Sequence, residues 1–179
     1  MGAFVEAAIR SRLAARTQRR GFGGSLTVSE KAEQESCAIA AAPSYREARM
    51  FVAAQAATLE ATAWLTAAQV GQLAKWGPSE AGARLAEWSR AGKIFAIRVQ
   101  SQELFPSYGF DPSDGFMPLK HLANVIKVLS PRKNSWGIAI WFSAVNGVLG
   151  GKRPQDLIAE RPSAVIAAAR DEAQGVLHG

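Results

Sequence analysis

The sequence predicts a mainly α-helical chain: a helix-turn-helix with a small β-hairpin wing, followed by a C-terminal helical domain. Three observations carry this. Alanine dominates an apolar fraction of 48%, and alanine is the strongest helix former. Two successive cap-and-stop patterns, opening at Thr66 and Ser79, delimit a pair of short helices. A β-branched run at residues 94–99 is followed by turn residues and a second apolar run, while strand-like runs are otherwise scarce.

Taken in order, Phe4, Ile9 and Leu13 suit a short amphipathic helix with Arg10, Arg12, Arg16, Arg19 and Arg20 around its end. Gly21 to Ser25 breaks it, and residues 21–43 are small, polar and weakly periodic up to Pro43. Residues 1–43 are therefore expected to be a basic arm and linker. Ser44 with Glu47 forms a capping-box pattern that opens a long helix over 45–63. Met50, Val52, Ala53, Ala56, Ala57 and Leu59 are expected on its buried side.

Thr66 with Gln69 repeats the capping-box pattern, and Leu65, Val70 and Leu73 supply an apolar stripe. Gly77 suits the C-cap and Pro78 the stop. Ser79 is expected to cap a second helix that runs to Arg90 and ends at Ala91-Gly92. A strand over 94–99, a turn at Ser101-Gln102 and a return strand over 103–106 make the hairpin. Residues 44–110 thus read as a long helix plus a winged helix-turn-helix.

Residues 106–118 hold four prolines and glycines at close spacing beyond Pro106, which predicts an irregular connection. Helices are expected over 119–129, from Ser135 to about Asn146, around 154–158 and over 162–173, with a Gly-rich turn at 147–151. Residues 111–179 read as the C-terminal helical domain.

The formal net charge is +6, a footprint compatible with nucleic acid. Much of it lies in residues 1–24, which carry five arginines against one acid. One cysteine, Cys37, leaves no internal disulfide, so a reducing, cytoplasmic setting fits. Apolar runs are too short to span a membrane, and the start lacks the order of a secretory signal. Two histidines, His121 and His178, give no catalytic or metal constellation, so no cofactor and no enzyme activity are expected. The stretch 147–153 fails as a phosphate loop: Asn146 stands where the first glycine belongs and Arg153 where the Ser/Thr belongs.

The unit over 65–110 suits DNA physically. A second helix of about three turns fits the major groove, and its N-terminal residues reach base edges. Ser79, Arg84, Arg90 and Lys93 lie on or just after it, and Arg98 and Gln100 lie on the wing. The pattern resembles the winged helix-turn-helix of the MerR and excisionase type, through Leu65-Thr66 with Val70, Gly92-Lys93, and Ile97 with Val99. The second helix nonetheless opens on Glu80, Ala81, Gly82 and Ala83, a bland and partly acidic start.

Further on come Trp136-Gly-Ile-Ala-Ile-Trp-Phe142, then Asn146, Leu149, Gly150, Gly151, Pro154, Asp156 and Leu157 in register, then the Ala-rich stretch 165–172. This resembles the toxin-binding domain of Xre/MbcA/ParS antitoxins, with Gly147 where the family has proline. The resemblance implies an antitoxin that binds operator DNA and neutralises a toxin of the RES type, which consumes NAD, by covering its active site. It implies a homodimer or higher oligomer, no membrane, and a toxin contact drawn from Asn146, Leu149, Gly150, Lys152, Arg153, Asp156 and Arg170. A standalone DNA-binding regulator and a non-DNA-binding interaction protein are the alternatives.

Overall fold

In the computed structural model, helix α1 (Tyr45–Ala61) starts directly after Ser44. The structure describes residues 44–175, so the arm, the linker, Cys37 and His178 lie outside the described residues. The inner side of α1 differs from the expected one. Thr58 is its buried residue, Val52 and Leu59 are half-buried, Met50 is 62% exposed, and Ala53, Ala56 and Ala57 are exposed. The reason is chemical. Thr58 Oγ1 lies 2.9 Å from Ser143 Oγ, and just beyond the helix Thr62 Oγ1 donates to Gln155 Oε1 at 2.6 Å. Gln155 Nε2 donates back to the Ala61 carbonyl at 2.9 Å. A helix held by hydroxyls and an amide leaves no apolar period to read.

Strand β1 (Trp64–Leu65), which the sequence reading lacked, leads into α2 (Ala67–Ala74). The capping box at Thr66 forms as expected: the Gln69 amide donates to Thr66 Oγ1 and the Thr66 amide donates to Gln69 Oε1. Val70 is buried, but Leu73 is 52% exposed and does not join the stripe. The helix ends at Lys75, which takes φ 60°, and Gly77 is extended. The expected C-cap at Gly77 is thereby corrected. Lys75 and Trp76 donate to the carbonyls of Gln72 and Gly71, closing the last turn two residues earlier.

Gly77 caps α3 (Pro78–Arg90) instead, and Ser79 is already inside the helix. Proline accounts for this, because its fixed φ is pre-set for the first helical position. The two helices meet at Gly71, where an added Cβ would lie 2.8 Å from Ala81 Cβ.

Strands β2 (Ile97–Val99) and β3 (Gln102–Pro106) form the hairpin, with Val99 opposite Gln102, so the loop is Gln100-Ser101, one residue earlier than expected. Gln100 takes φ 55° there. β1 pairs with the other edge of β3, giving the antiparallel order β1-β3-β2. The connection beyond contains two 3-10 turns and a minimal hairpin of β4 (Phe110–Asp111) with β5 (Met117–Pro118).

Helix α4 (Leu122–Leu129) follows. Helix α5 (Ser135–Ser143) starts where expected and is capped by Asn134, whose Oδ1 accepts from the Gly137 amide at 2.9 Å. It stops before residue 146 and gives way to a 3-10 turn (Gly147–Leu149), α6 (Pro154–Leu157) and α7 (Pro162–Gly175). One hydrophobic cluster runs through these elements, from Val70, Leu85 and Trp88 to Leu122, Phe142 and Val165. Phe142 is fully buried at its centre, with its ring 6.1 Å from Phe95, 5.0 Å from Tyr108 and 5.1 Å from Trp141. The fold is mainly helical with a small β-hairpin.

Candidate functional site

The close approach of α2 and α3 at Gly71 turns the opposite side of α3 outward. Ser79, Glu80, Gly82, Ala83, Glu87 and Arg90 are exposed there, and Arg84 is half-buried. Residues 65–110 carry five bases and three acids, and two of those bases are engaged. Arg84 Nε and Nη2 both reach Glu80 Oε1, at 3.0 and 2.9 Å. Its guanidinium carbon sits 4.9 Å from the centroid of the Trp76 ring. Trp76 meets the buried Trp88 edge-on at 5.6 Å. On the wing, Arg98 Nη2 lies 2.9 Å from Glu103 Oε1, its partner across the two strands.

Arg90 and Lys93 form no ion pair among the described residues. Lys93 follows Gly92, whose φ of 65° ends α3, and its amide donates to the Trp88 carbonyl at 2.9 Å. Gln100 stands exposed in the hairpin loop. Between α3 and the wing runs a groove of about 430 Å³, with Gly82 and Ala86 on one side, Arg98, Ser101 and Glu103 on the other, and Phe105 beneath. The structure therefore brings Arg98 and Glu103 to the groove, sets Arg84 against Trp76 and Glu80 on the other flank of α3, and leaves Ser79, Arg90 and Lys93 toward the two ends of the helix.

The second region is the turn after α5. Asn146 Oδ1 accepts from the Val148 amide at 2.9 Å. The Asn146 amide donates to the Lys152 carbonyl, and the Asn146 carbonyl accepts from the Gly151 amide. Gly150 and Gly151 take φ 67° and 77°, and nothing lies within 4 Å of a Cβ at either, so conformation rather than space asks for glycine. Leu149 is buried and anchors the turn against α7. Arg153 grips Asp156 through two bonds of 2.7 and 3.0 Å, which raises the arginine's pKa further above its ordinary value. Lys152 and Arg170 are exposed.

Sequence reasoning missed two parts of these regions. Val145 and Val148 are 74% and 60% exposed beside the turn. Trp76 and Glu80 hold Arg84, and the i,i+4 spacing of Glu80 and Arg84 was the signal available.

A third feature is an apolar hollow of about 400 Å³ lined by Leu65, Leu73, Phe110, Phe116, Leu119 and Ile158, among others. Tyr108 also borders it. The Tyr108 hydroxyl has no partner among the described residues, and burial pushes its pKa up. His121 is exposed at the start of α4. Among the described residues no group of three His, Cys, Asp or Glu side chains is placed to hold a metal ion. No described helix is long and apolar enough to cross a membrane.

No family model matches the sequence, and no curated protein matches it. Among solved structures, the NMR structure of Rv2175c is similar at 18% identity, with a TM-score of 0.51, covering 63% of this chain and 82% of that one. At that identity the likeness bears on the fold alone, and the fold it supports is a mainly helical chain with a small antiparallel sheet.

Proposed function

We infer that this protein binds duplex DNA through α3 and the wing, and docks a protein partner at the turn over residues 146–156. The observation that carries the DNA half is the placement of α3 beside the hairpin, with its outer face open. At 13 residues, α3 is about 20 Å long, and a major groove about 12 Å wide admits such a helix. Arg90 and Lys93 suit phosphates, and Arg98 and Gln100 extend the contact along the wing.

The support for the partner half is the turn itself. It is tied by Asn146, it carries the bare Val148 and an exposed lysine, and the bare Val145 adjoins it. With the resemblance of that segment to a toxin-binding domain, the reading is an antitoxin. It would act without catalysis of its own, as a dimer or higher oligomer on paired operator half-sites, in the cytoplasm where the DNA is. Its partner would be a RES-type, NAD-consuming toxin.

Binding of the full chain to duplex from upstream of its own gene, titrated with salt, tests the DNA half. Affinity should fall linearly on logarithmic axes as salt rises. No binding at about 50 mM salt would overturn it. Co-expression with the product of the neighbouring gene tests the partner half. A stable complex in which NAD consumption stops supports the antitoxin. DNA binding with no such complex leaves the standalone regulator.

A further inference from the structure

Arg84 is held in a way that the other cations on this face are not. Glu80 Oε1 takes the Nε–Nη2 side of its guanidinium, at 3.0 and 2.9 Å. The Trp76 ring covers one of its faces at 4.9 Å. Trp76 is itself set by the buried Trp88. What stays free is the Nη1–Nη2 edge, whose two outward donors match the O6 and N7 acceptors of guanine.

The surroundings fit the same use. On the surface of α3 the neighbours of Arg84 one turn away are Glu80 and the exposed Glu87, with Ala81 and Trp88 buried beneath, so carboxylates and no second cation adjoin it. Glu80 also works against the other use of an arginine. A phosphate drawn to Arg84 meets the Glu80 carboxylate at once, and like charges repel. Arg98 pairs with Glu103 on the wing, but its side chain is 70% exposed and no aromatic ring among the described residues holds it. Arg90 and Lys93 form no ion pair among the described residues.

We propose that Arg84 reads a guanine in the major groove, and that Glu80 and Trp76 are positioning residues that keep it a base reader rather than a phosphate contact. This rests on the DNA-binding reading above and assigns it a base. Arginine presented as a clamped fork loses less side-chain freedom per bond formed than a free one. The carboxylate oxygen of Glu80 that is not bonded to Arg84 remains an acceptor, the group that suits cytosine N4.

The test is selection of the full-length protein on a pool of duplexes with a randomised core, followed by salt titration on selected and random duplexes. Wild type should enrich guanine at one position in each half-site. Arg84→Lys keeps the charge and loses the fork. It should bind random duplex within about twofold of wild type, yet lose the guanine preference by about tenfold or more. Glu80→Gln frees Arg84 for phosphate. Binding to random duplex should tighten, and the logarithmic salt slope should steepen by about 0.9 while guanine preference falls.

Retention of the guanine preference in Arg84→Lys would overturn the proposal. So would an Arg84→Ala variant that weakens binding equally at every sequence and makes the slope shallower by about 0.9, the mark of a phosphate contact. Wild type that binds no duplex at low salt fails the DNA reading itself, and the proposal with it. Wild type that binds DNA with no guanine preference fails the proposal alone.

Discussion

The two exposed regions of this molecule are built in opposite ways. Around α3 and the wing, charge is plentiful and partly held: Arg84 by Glu80 and Trp76 and Arg98 by Glu103, while Arg90 and Lys93 form no ion pair among the described residues. At the turn over 146–156, Val148 and the adjoining Val145 are large apolar side chains left exposed, and the one ion pair, Arg153 with Asp156, is internal to the turn. The glycines differ in the same sense. Gly71 serves a close approach between two helices, whereas Gly150 serves a backbone conformation in open space. A clamped charge selects among partners by geometry, because it has one edge to offer. A surface of bare valines binds by area, because burial is non-directional.

The largest predicted effect removes what the two regions share. Phe142 is fully buried, with its ring close to Phe95 beside the wing and Trp141 within α5. Phe142→Ala should cost about 3–5 kcal/mol. Unfolding followed by tryptophan fluorescence should remain one transition, with DNA binding and partner docking lost together. Loss of docking with DNA binding intact would mean that the two regions hold separately.

Much of this comparison is legible in sequence, and the rest fails for identifiable reasons. The capping box at Thr66 and Gln69 is legible because both groups sit three residues apart in the chain. The hairpin's loop is legible to within one residue, falling at Gln100-Ser101 because Val99 pairs with Gln102, while its first strand starts at Ile97, three residues later than the β-branched run suggests. The Gly150-Gly151 turn is legible because positive φ selects glycine. Lys75 at φ 60° is not, since a lysine in that conformation carries no sequence mark. Nor is the inner face of α1, where Thr58 and Thr62 bond to Ser143 and Gln155 more than 80 positions away. Arg84 shows the limit for the site. Its partner Glu80 was visible four residues upstream, but a neutralised arginine and a free one are spelled alike. The clamp also needs Trp76, which the turn delivers.

The next effect separates the regions. Gly71→Ala would set a Cβ 2.8 Å from Ala81 Cβ, and both residues sit on buried helix faces with no flexible end to give way. Overpacking of this kind costs about 1–3 kcal/mol. It should shift α2 against α3 and weaken DNA binding, leaving docking at the turn unchanged once folded. Thermal melting and a salt-titrated binding isotherm check both parts. Equal loss at the two surfaces would contradict the division between them.

Gly150→Ala makes the reciprocal change. No atom obstructs the new Cβ, so the cost is that of holding an L-residue at φ 67°, about 1–2 kcal/mol. Partner docking should weaken while DNA binding stays as it was. Gly150→Asn should recover part of the loss, because asparagine tolerates that region better than alanine does. An asparagine variant as impaired as the alanine variant would show that the turn needs glycine for access rather than conformation.

The smallest effect on stability is the sharpest test of the second surface. Val148 is 60% exposed, and its amide, not its side chain, ties the turn through Asn146. Val148→Asp should therefore change stability by no more than about 0.5 kcal/mol. Its consequence lies in recognition. A carboxylate in the centre of an apolar contact must be desolvated without a partner, and that penalty reaches several kcal/mol. Docking measured by titration calorimetry should fall by orders of magnitude, with the melting temperature and the DNA isotherm unmoved. If docking survives Val148→Asp but is lost in Lys152→Glu, the turn is recognised by charge after all. The two surfaces of this protein would then be variants of one design rather than opposites.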